Sequence, residues 1–136
     1  MLAVVDTNVF VSGLLGSRSC RNIFISFRKN RFKLAISPLL FEELVEVIER
    51  PKFQALFDRK EIVDLIHFTK YKAVWTIPHR RIHLCRDSKD NHILECAHAA
   101  KVDIIVSGDQ DLLSLNSFET IPILNPSHFI NRLKEK

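Results

Sequence analysis

The chain has 136 residues, of which 46% are apolar, and a formal net charge of +4. This length suits one domain with a hydrophobic core, and the apolar content excludes an intrinsically disordered segment. No apolar run approaches the roughly 20 residues of a membrane span, and Asp6 interrupts the start of any leader-like segment, so we expect a cytoplasmic protein with no membrane partner. Cys20, Cys85 and Cys96 lack the spacing of a zinc ribbon or a disulfide framework, and we expect buried, reduced thiols.

Strand-like and helix-like patterns alternate along the chain. In chain order they predict a strand at 2–6, a helix at 19–30, a strand at 32–37, a helix from 38 to 50, helices at 52–57 and 60–72, a strand at 73–77, a helix at 90–101, strands at 102–109 and 121–124, and a closing helix at 125–136. Residues 81–85 either extend the strand before them or form a short edge strand.

Two helix starts are marked by a capping residue followed by proline, at Ser37-Pro38 and Asn125-Pro126. Strand–helix alternation is typical of a parallel sheet covered by helices on both faces. We therefore predict an α/β fold with three layers, α/β/α, around a central, mainly parallel sheet. No internal linker is visible, so residues 1–136 are predicted to form a single domain.

Acidic residues follow two of the fully apolar strands. Asp6 ends the first strand, and Asp109 ends the strand at 102–109. Ligands of open α/β sheets gather beyond the carboxyl ends of the strands, so these positions favour a site over a simple turn. Asp111 lies two residues further, where it either joins that site or caps the short helix that follows.

Three more acids are candidates on weaker grounds. Glu43 lies at the edge of the apolar stripe of its helix, whereas the other glutamates of that helix point to solvent. It faces either solvent or a cationic group. Asp90 occupies the expected N-cap of the helix at 90–101, and Asp87 precedes it on the loop. Ordinary capping and turn chemistry would account equally well for these two.

Five stretches together carry a resemblance to a known family: "VVDTNVFVSGLL", "SPLLFEELVEVIERPKF", "CRDSKDNHILECA", "DIIVSGDQDLLSL" and "IPILNPSHFI". In this order the sequence resembles the PIN-domain family of metal-dependent nucleases. It looks most like the small stand-alone prokaryotic members that are the toxins of toxin–antitoxin pairs. The resemblance implies a PIN-like fold, an RNA substrate, a cognate antitoxin and a homo-oligomer, a dimer or a tetramer.

The resemblance also implies residue roles. The catalytic and metal-binding acids would be Asp6, Glu43, Asp90 and Asp109, with Mg²⁺ or Mn²⁺ as the cofactor. Supporting polar groups would be Thr7, Asn8, Asp87, Ser107 and Asp111. Relatives often have threonine at position 107, and serine keeps the hydroxyl.

Clustered acids suit this chemistry because hard divalent cations prefer oxygen ligands. Two like charges about 4 Å apart repel by about 4 kcal/mol at an effective dielectric of 20, so four acids in one cleft destabilise it until a cation binds. A bound cation polarises a phosphoryl oxygen and activates a water for in-line attack. One or two cations would both be compatible with this ligand set.

Basic residues dominate the remainder of the chain. Setting aside six candidate site acids leaves 20 basic residues against 10 acidic ones, which suits a phosphate backbone. The candidate nucleic-acid-binding residues are Arg28, Lys29, Arg31, Lys33, Arg80 and Arg81. Tyr71 and Trp75 could stack on bases, but both lie in apolar patterns, and we expect them in the core.

Other classes remain as alternatives. A catalytically silent module that binds RNA or protein, or a metal-dependent nuclease acting on DNA, would share the same acids. An aspartate-nucleophile phosphatase is disfavoured because Asn8 stands where its second acid is needed. Zinc at His92 and Cys96 is disfavoured because no further ligands follow at finger-like spacing. Glycine-rich nucleotide-binding motifs are absent from the sequence.

Overall fold

A mainly parallel sheet lies at the centre of the molecule. Within residues 1–135, which the computed structural model describes, six strands pair in the order β3-β2-β1-β4-β6-β5. The strands are β1 Leu2–Val5, β2 Lys33–Ile36, β3 Val74–Trp75, β4 Ile104–Val106, β5 Ser117–Phe118 and β6 Ile121–Leu124. All neighbours are parallel except β5 and β6, which form a short antiparallel hairpin at one edge.

Helices fill the connections between the strands. They are α1 Thr7–Leu14, α2 Arg18–Arg28, α3 Pro38–Ile48, α4 Pro51–Gln54, α5 Arg59–Lys72, α6 Ser88–Ala100, α7 Gln110–Leu113 and α8 Pro126–Lys134. The predicted closing helix extended to Lys136, which lies outside the described residues. Among the described residues, no helix combines the length and the apolar character that a bilayer crossing requires.

The sheet is buried on both faces, as its apolar strands predict. Ala3 and Val5 of β1 belong to one core cluster, which also contains Phe27 of α2 and Leu65 of α5. Val4 points to the opposite face, into a second cluster that includes buried residues of α6. Because successive side chains of a strand alternate between faces, this division shows helices packed on both sides. The predicted three-layer α/β/α fold is confirmed.

Both predicted helix starts are present. The Ser37 hydroxyl accepts a hydrogen bond from the backbone N–H of Leu40 at 3.3 Å, and the Asn125 side chain accepts one from His128 at 2.8 Å. Each cap satisfies one of the backbone donors that a helix leaves free in its first turn. The cap at Ser37 fixes where α3 begins, immediately beyond the carboxyl end of β2.

Several local predictions differ from the structure. Residues 81–85 form no strand, and the strand at 73–77 shrinks to two residues at the sheet edge. Trp75 and Tyr71 are 41% and 69% exposed, so their assignment to the core is wrong. Trp75 lies on the edge strand, where its ring packs against Phe41, and Tyr71 lies on the outer side of α5. Of the cysteines, Cys85 is partly exposed, and the other two are buried thiols as predicted.

Candidate metal centre

The carboxyl ends of β1 and β4 lie side by side and carry the first site residues. Val5 pairs with Val106, and the backbone N–H of Asp6 donates to the Val106 carbonyl at 2.9 Å. Asp6 follows β1 directly, and Ser107 follows β4. The two central strands therefore deliver their next residues to the same edge of the sheet, as the strand-end pattern predicts.

Asp6 is buried and both of its carboxylate oxygens accept hydrogen bonds. Oδ2 accepts from the Ser107 hydroxyl at 2.8 Å, and Oδ1 accepts from the backbone N–H of Asn8 at 3.2 Å, which caps α1. The Ser107 hydroxyl in turn accepts from the backbone N–H of Asp109 at 3.0 Å. Burial raises the pKa of Asp6, and these hydrogen bonds oppose that rise. Asp6 is thus both a helix cap and a member of the acidic group.

Asp90 lies in the first turn of α6, and Asp87 is the residue that caps this helix. The Asp87 carboxylate accepts from the backbone N–H of Lys89 at 2.9 Å, so the expectation that Asp90 is the N-cap is wrong. Asp90 is 7% exposed, and within residues 1–135 its Oδ2 has no hydrogen-bond partner. Burial and the neighbouring Asp109 carboxylate raise the pKa of Asp90 to about 7. A buried carboxylate oxygen without a donor is the atom that a cation would satisfy.

Glu43 lies on α3 and lines the same cavity as Asp90. Its Oε1 lies 2.7 Å from Nδ1 of His92, a residue of α6, and its side chain is only 14% exposed. Burial raises the pKa of Glu43, and the hydrogen bond and charge of His92 oppose that rise. Of the two environments that the sequence allowed, open solvent is not the one found, because the Glu43 carboxylate faces the His92 imidazole.

The loop after β4 supplies the remaining acids. Asp109 caps α7 by accepting from the backbone N–H of Asp111 at 3.3 Å, so Asp111 is not the cap of this helix. Asp111 instead forms an ion pair with Arg86, whose Nη2 donates to both carboxylate oxygens, at 3.0 and 3.2 Å. Carboxylate oxygens of Asp90, Asp109 and Asp111 lie within 4.8 Å of one another. The most compact acidic group therefore includes Asp111, which the sequence ranked as a supporting residue.

One open cavity of about 320 Å³ unites most of these residues. Its lining comprises Asp6, Thr7, Asn8, Glu43, Val47, Arg50, Asp87, Lys89, Asp90 and Asp109. All four acids that were predicted as metal ligands line this cavity. The donor set is rich in carboxylate oxygen, which fits Mg²⁺ or Mn²⁺ and not a thiolate-preferring metal. Lys89 and Arg50 also line this cavity, and neither is among the six residues that were predicted from sequence to bind nucleic acid.

The candidate nucleic-acid-binding residues separate into two groups. Lys33 pairs with Leu2 at the amino ends of the strands, whereas the acids lie beyond the carboxyl ends. The basic residues from Arg28 to Lys33 therefore lie at the opposite end of the strands from the acids. Arg80 and Arg81 instead lie beside a cavity of about 100 Å³ that His92 also lines. Only this second group adjoins the acidic site.

Comparison with known proteins agrees with this geometry. The PIN domain family matches residues 3–111, and the chain belongs to this family. An uncharacterized protein of Methanocaldococcus jannaschii, MJ1680, is 27% identical over 127 residues, which cover 92% of this chain and 81% of the relative.

Two solved structures share the fold. VapBC2 from Rickettsia felis, bound to a DNA fragment from its promoter, matches with a TM-score of 0.59 and 17% identity over 92% of this chain and 98% of that one. PAE2754 from Pyrobaculum aerophilum matches with a TM-score of 0.66 and 14% identity over 99% of this chain and 90% of that one. At these identities the likeness establishes the fold, and the predicted PIN-like architecture is confirmed.

Proposed function

We propose that this protein is a Mg²⁺- or Mn²⁺-dependent endoribonuclease that hydrolyses phosphodiester bonds of RNA. The observation that carries the proposal is the buried, unpartnered Oδ2 of Asp90 in a cavity shared with Asp6, Glu43 and Asp109. A protein gains nothing for stability from gathering four acids in one cavity, since each raises the cost of ionising the others. Such a cluster is typical of a site that holds a cation.

The acids would hold the cation, and each is placed by a different element. Asp6 and Asp109 follow β1 and β4, Asp90 lies on α6, and Glu43 lies on α3. When bound, the cation supplies Lewis-acid polarisation of the phosphoryl oxygen and lowers the pKa of a water molecule. The chain itself contributes rigid positioning, because three of these carboxylates are fixed by hydrogen bonds to backbone or side-chain donors.

Two basic side chains that line the acidic cavity suit a polyanionic substrate. Lys89 and Arg50 line the same cavity as the acids, and both side chains are long enough to reach a phosphate beside the metal. Arg81 is exposed beside the neighbouring cavity that His92 lines, and it would contact the RNA chain further from the metal site. Phosphate contacts of this kind position a nucleic acid without reading its sequence.

We further propose that the protein is the toxin of a toxin–antitoxin pair, acting in the cytoplasm. The support is family membership together with the fold shared with VapBC2. An antitoxin partner that covers the acidic cavity would follow from this assignment. Self-association to a dimer or tetramer is proposed from exposed apolar side chains, such as Leu56 in the turn between α4 and α5 and Val63 on α5.

The test is a cleavage assay on single-stranded RNA and on DNA of the same sequence, with Mn²⁺, with Mg²⁺ and with chelator. RNA cleavage that requires the cation is expected. Asp90→Asn should lower the rate by about 100-fold or more, the scale of losing one charged group of an active site. Asp58→Asn is the matched control, since Asp58 caps α5 at an exposed position and does not line the cavity.

Each contrary result has a definite meaning. Cleavage that persists in chelator, or at the parent rate in Asp90→Asn, refutes a metal mechanism at this site. Cleavage of DNA alone replaces the RNA substrate with DNA. Mn²⁺ binding without cleavage of either polymer identifies a catalytically silent module. Purifying all variants identically excludes a contaminating nuclease, because the contaminant would appear in every preparation.

A further inference from the structure

His92 contacts one of the site acids, Glu43, and is not itself one of the candidate metal ligands. It follows Asp90 by two residues on α6, and residues at i and i+2 of a helix point in nearly opposite directions. Asp90 faces the cavity, whereas the His92 ring faces α3, where its Nδ1 lies 2.7 Å from Glu43 Oε1. Helix α6 thus places Asp90, a candidate metal ligand, at the cavity. It also places His92 against α3, where the imidazole contacts Glu43, a second candidate ligand.

The contact uses one half of the Glu43 carboxylate. Only Oε1 is engaged by His92, and no other hydrogen bond to this carboxylate occurs among residues 1–135. An ionised carboxylate only accepts hydrogen bonds, so the imidazole donates through Nδ1–H. Glu43 also lines the cavity, which leaves its second oxygen for a group bound there.

We propose that His92 is a positioning residue for Glu43, an inference that rests on the metal-dependent function proposed above. A glutamate has three rotatable side-chain bonds, and ordering them opposes metal binding. The Nδ1–H donor holds the carboxylate in one orientation before the cation arrives. Hydrogen bonds to ligating carboxylates have this role in metal sites, and losing one typically weakens metal affinity by about 10–100-fold.

A purely structural role would give the same contact, since α3 and α6 pack against each other. The chain offers a matched control for this alternative. His98 lies on the same helix and forms the same kind of pair, with its Nδ1 2.6 Å from Oε1 of Glu119. Neither His98 nor Glu119 lines the acidic cavity, so this second pair isolates the effect of losing a His–Glu contact.

Substitution at position 92 is compatible with folding. The His92 side chain is 22% exposed, and it borders the open cavity beside Arg80 and Arg81. A smaller residue therefore enlarges a space that already communicates with solvent and leaves no closed void in the core. Asparagine is the conservative replacement, because its side-chain amide nitrogen occupies nearly the same position as Nδ1 of histidine and donates in the same direction.

The experiment measures Mn²⁺ affinity directly, by titration followed with electron paramagnetic resonance of free Mn²⁺. The four proteins are the parent, His92→Ala, His92→Asn and His98→Ala, each checked by a thermal melt in chelator. His92→Ala should weaken Mn²⁺ binding by about 10–100-fold. His92→Asn should restore affinity to within about threefold of the parent, and His98→Ala should leave it unchanged.

The outcomes separate this inference from the function on which it rests. Parent-like Mn²⁺ affinity in His92→Ala overturns the positioning role, as does an Asn variant that binds as weakly as the Ala variant. A parent protein that binds Mn²⁺ but cleaves no nucleic acid refutes the nuclease while the His92 comparison still stands. A parent protein that binds no Mn²⁺ refutes both.

Discussion

Replacing Asp90 with asparagine is expected to stabilise the metal-free protein at pH 8 and to remove its stabilisation by Mn²⁺. The Asp90 side chain is buried beside Asp109, and its pKa is raised to about 7, so at pH 8 the folded protein carries an ionised group in an unfavourable place. Asparagine has nearly the same shape and no charge. Its amide can also donate to the Asp109 carboxylate, which aspartate can do only when protonated.

The size of the effect follows from the pKa shift. A rise from 3.8 to about 7 corresponds, at roughly 1.36 kcal/mol per unit, to an upper limit of about 4 kcal/mol. Solvent in the open cavity screens this repulsion, so we expect about 1–2 kcal/mol in the variant's favour. For a domain of this length, that gain raises the melting temperature by about 3–8 °C.

The same shift sets the pH dependence. Because the folded-state pKa lies above the unfolded value, the contribution of protonated Asp90 is complete below pH 3.8 and is lost as pH rises through about 7. The stability of the metal-free parent should therefore fall by about the 1–2 kcal/mol expected above as the pH rises from about 4 to about 8. The Asp90→Asn variant should show a flatter profile over this range, since it has no group to titrate there.

The assay is a set of thermal melts with chelator and with Mn²⁺, for the parent, Asp90→Asn and the Asp58→Asn control. Mn²⁺ at about 100 times its dissociation constant should stabilise the parent by about 2.7 kcal/mol and leave Asp90→Asn unaffected. The control should behave as the parent, because asparagine caps a helix about as well as aspartate. An Asp90→Asn protein that melts below the parent at pH 8, or that gains equally from Mn²⁺, would refute the reasoning.

Three further outcomes are expected. Ser107→Ala removes the buried hydroxyl that donates to Asp6, and it should cost about 1–3 kcal/mol of unfolding free energy, measured by urea denaturation; an unchanged midpoint would contradict the bridging role. Asp111→Asn should slow cleavage less than Asp90→Asn does, because Arg86 already occupies the Asp111 carboxylate; equal losses would mean that Asp111 is a direct ligand. Sedimentation at tens of micromolar should show a dimer or larger species, and monomer alone would exclude the proposed self-association.

The parts of the fold that could be predicted are those that depend on patterns of adjacent residues. A cap followed by proline fixes a helix start within a few residues, and this was sufficient at Ser37 and Asn125. Helix α1 was not predicted, since residues 7–14 follow β1 without a loop and their apolar run carries no clear periodicity. The exposure of Trp75 was also missed, because nothing near it in sequence indicates that its strand lies at the edge of the sheet.

The candidate site divides in the same way. Asp6 and Asp109 were identifiable because the end of an apolar strand is a local pattern, and the topology of a parallel sheet brings such ends together. The partners of the acids were not identifiable. His92 lies 49 residues from Glu43, and Arg86 lies 25 residues from Asp111, so each contact depends on how the helices and loops pack. The cap of α6 was placed three residues too late, because Asp87 and Asp90 are chemically equivalent as caps.

The loop before α6 owes its shape to side chains of that helix. The Asn91 amide accepts from the backbone N–H of Cys85 at 2.8 Å and donates to its carbonyl at 3.1 Å, and Glu95 accepts from the N–H of Ile82 at 2.9 Å. Asn91 and Glu95 are one helical turn apart, so the helix pitch dictates how many residues fit between the two anchored points. Natural variants of this protein should therefore tolerate insertions poorly between residues 82 and 85, although the segment is an irregular loop. Slow hydrogen–deuterium exchange at these two amides, compared with their unanchored neighbours, would reveal the same constraint in solution.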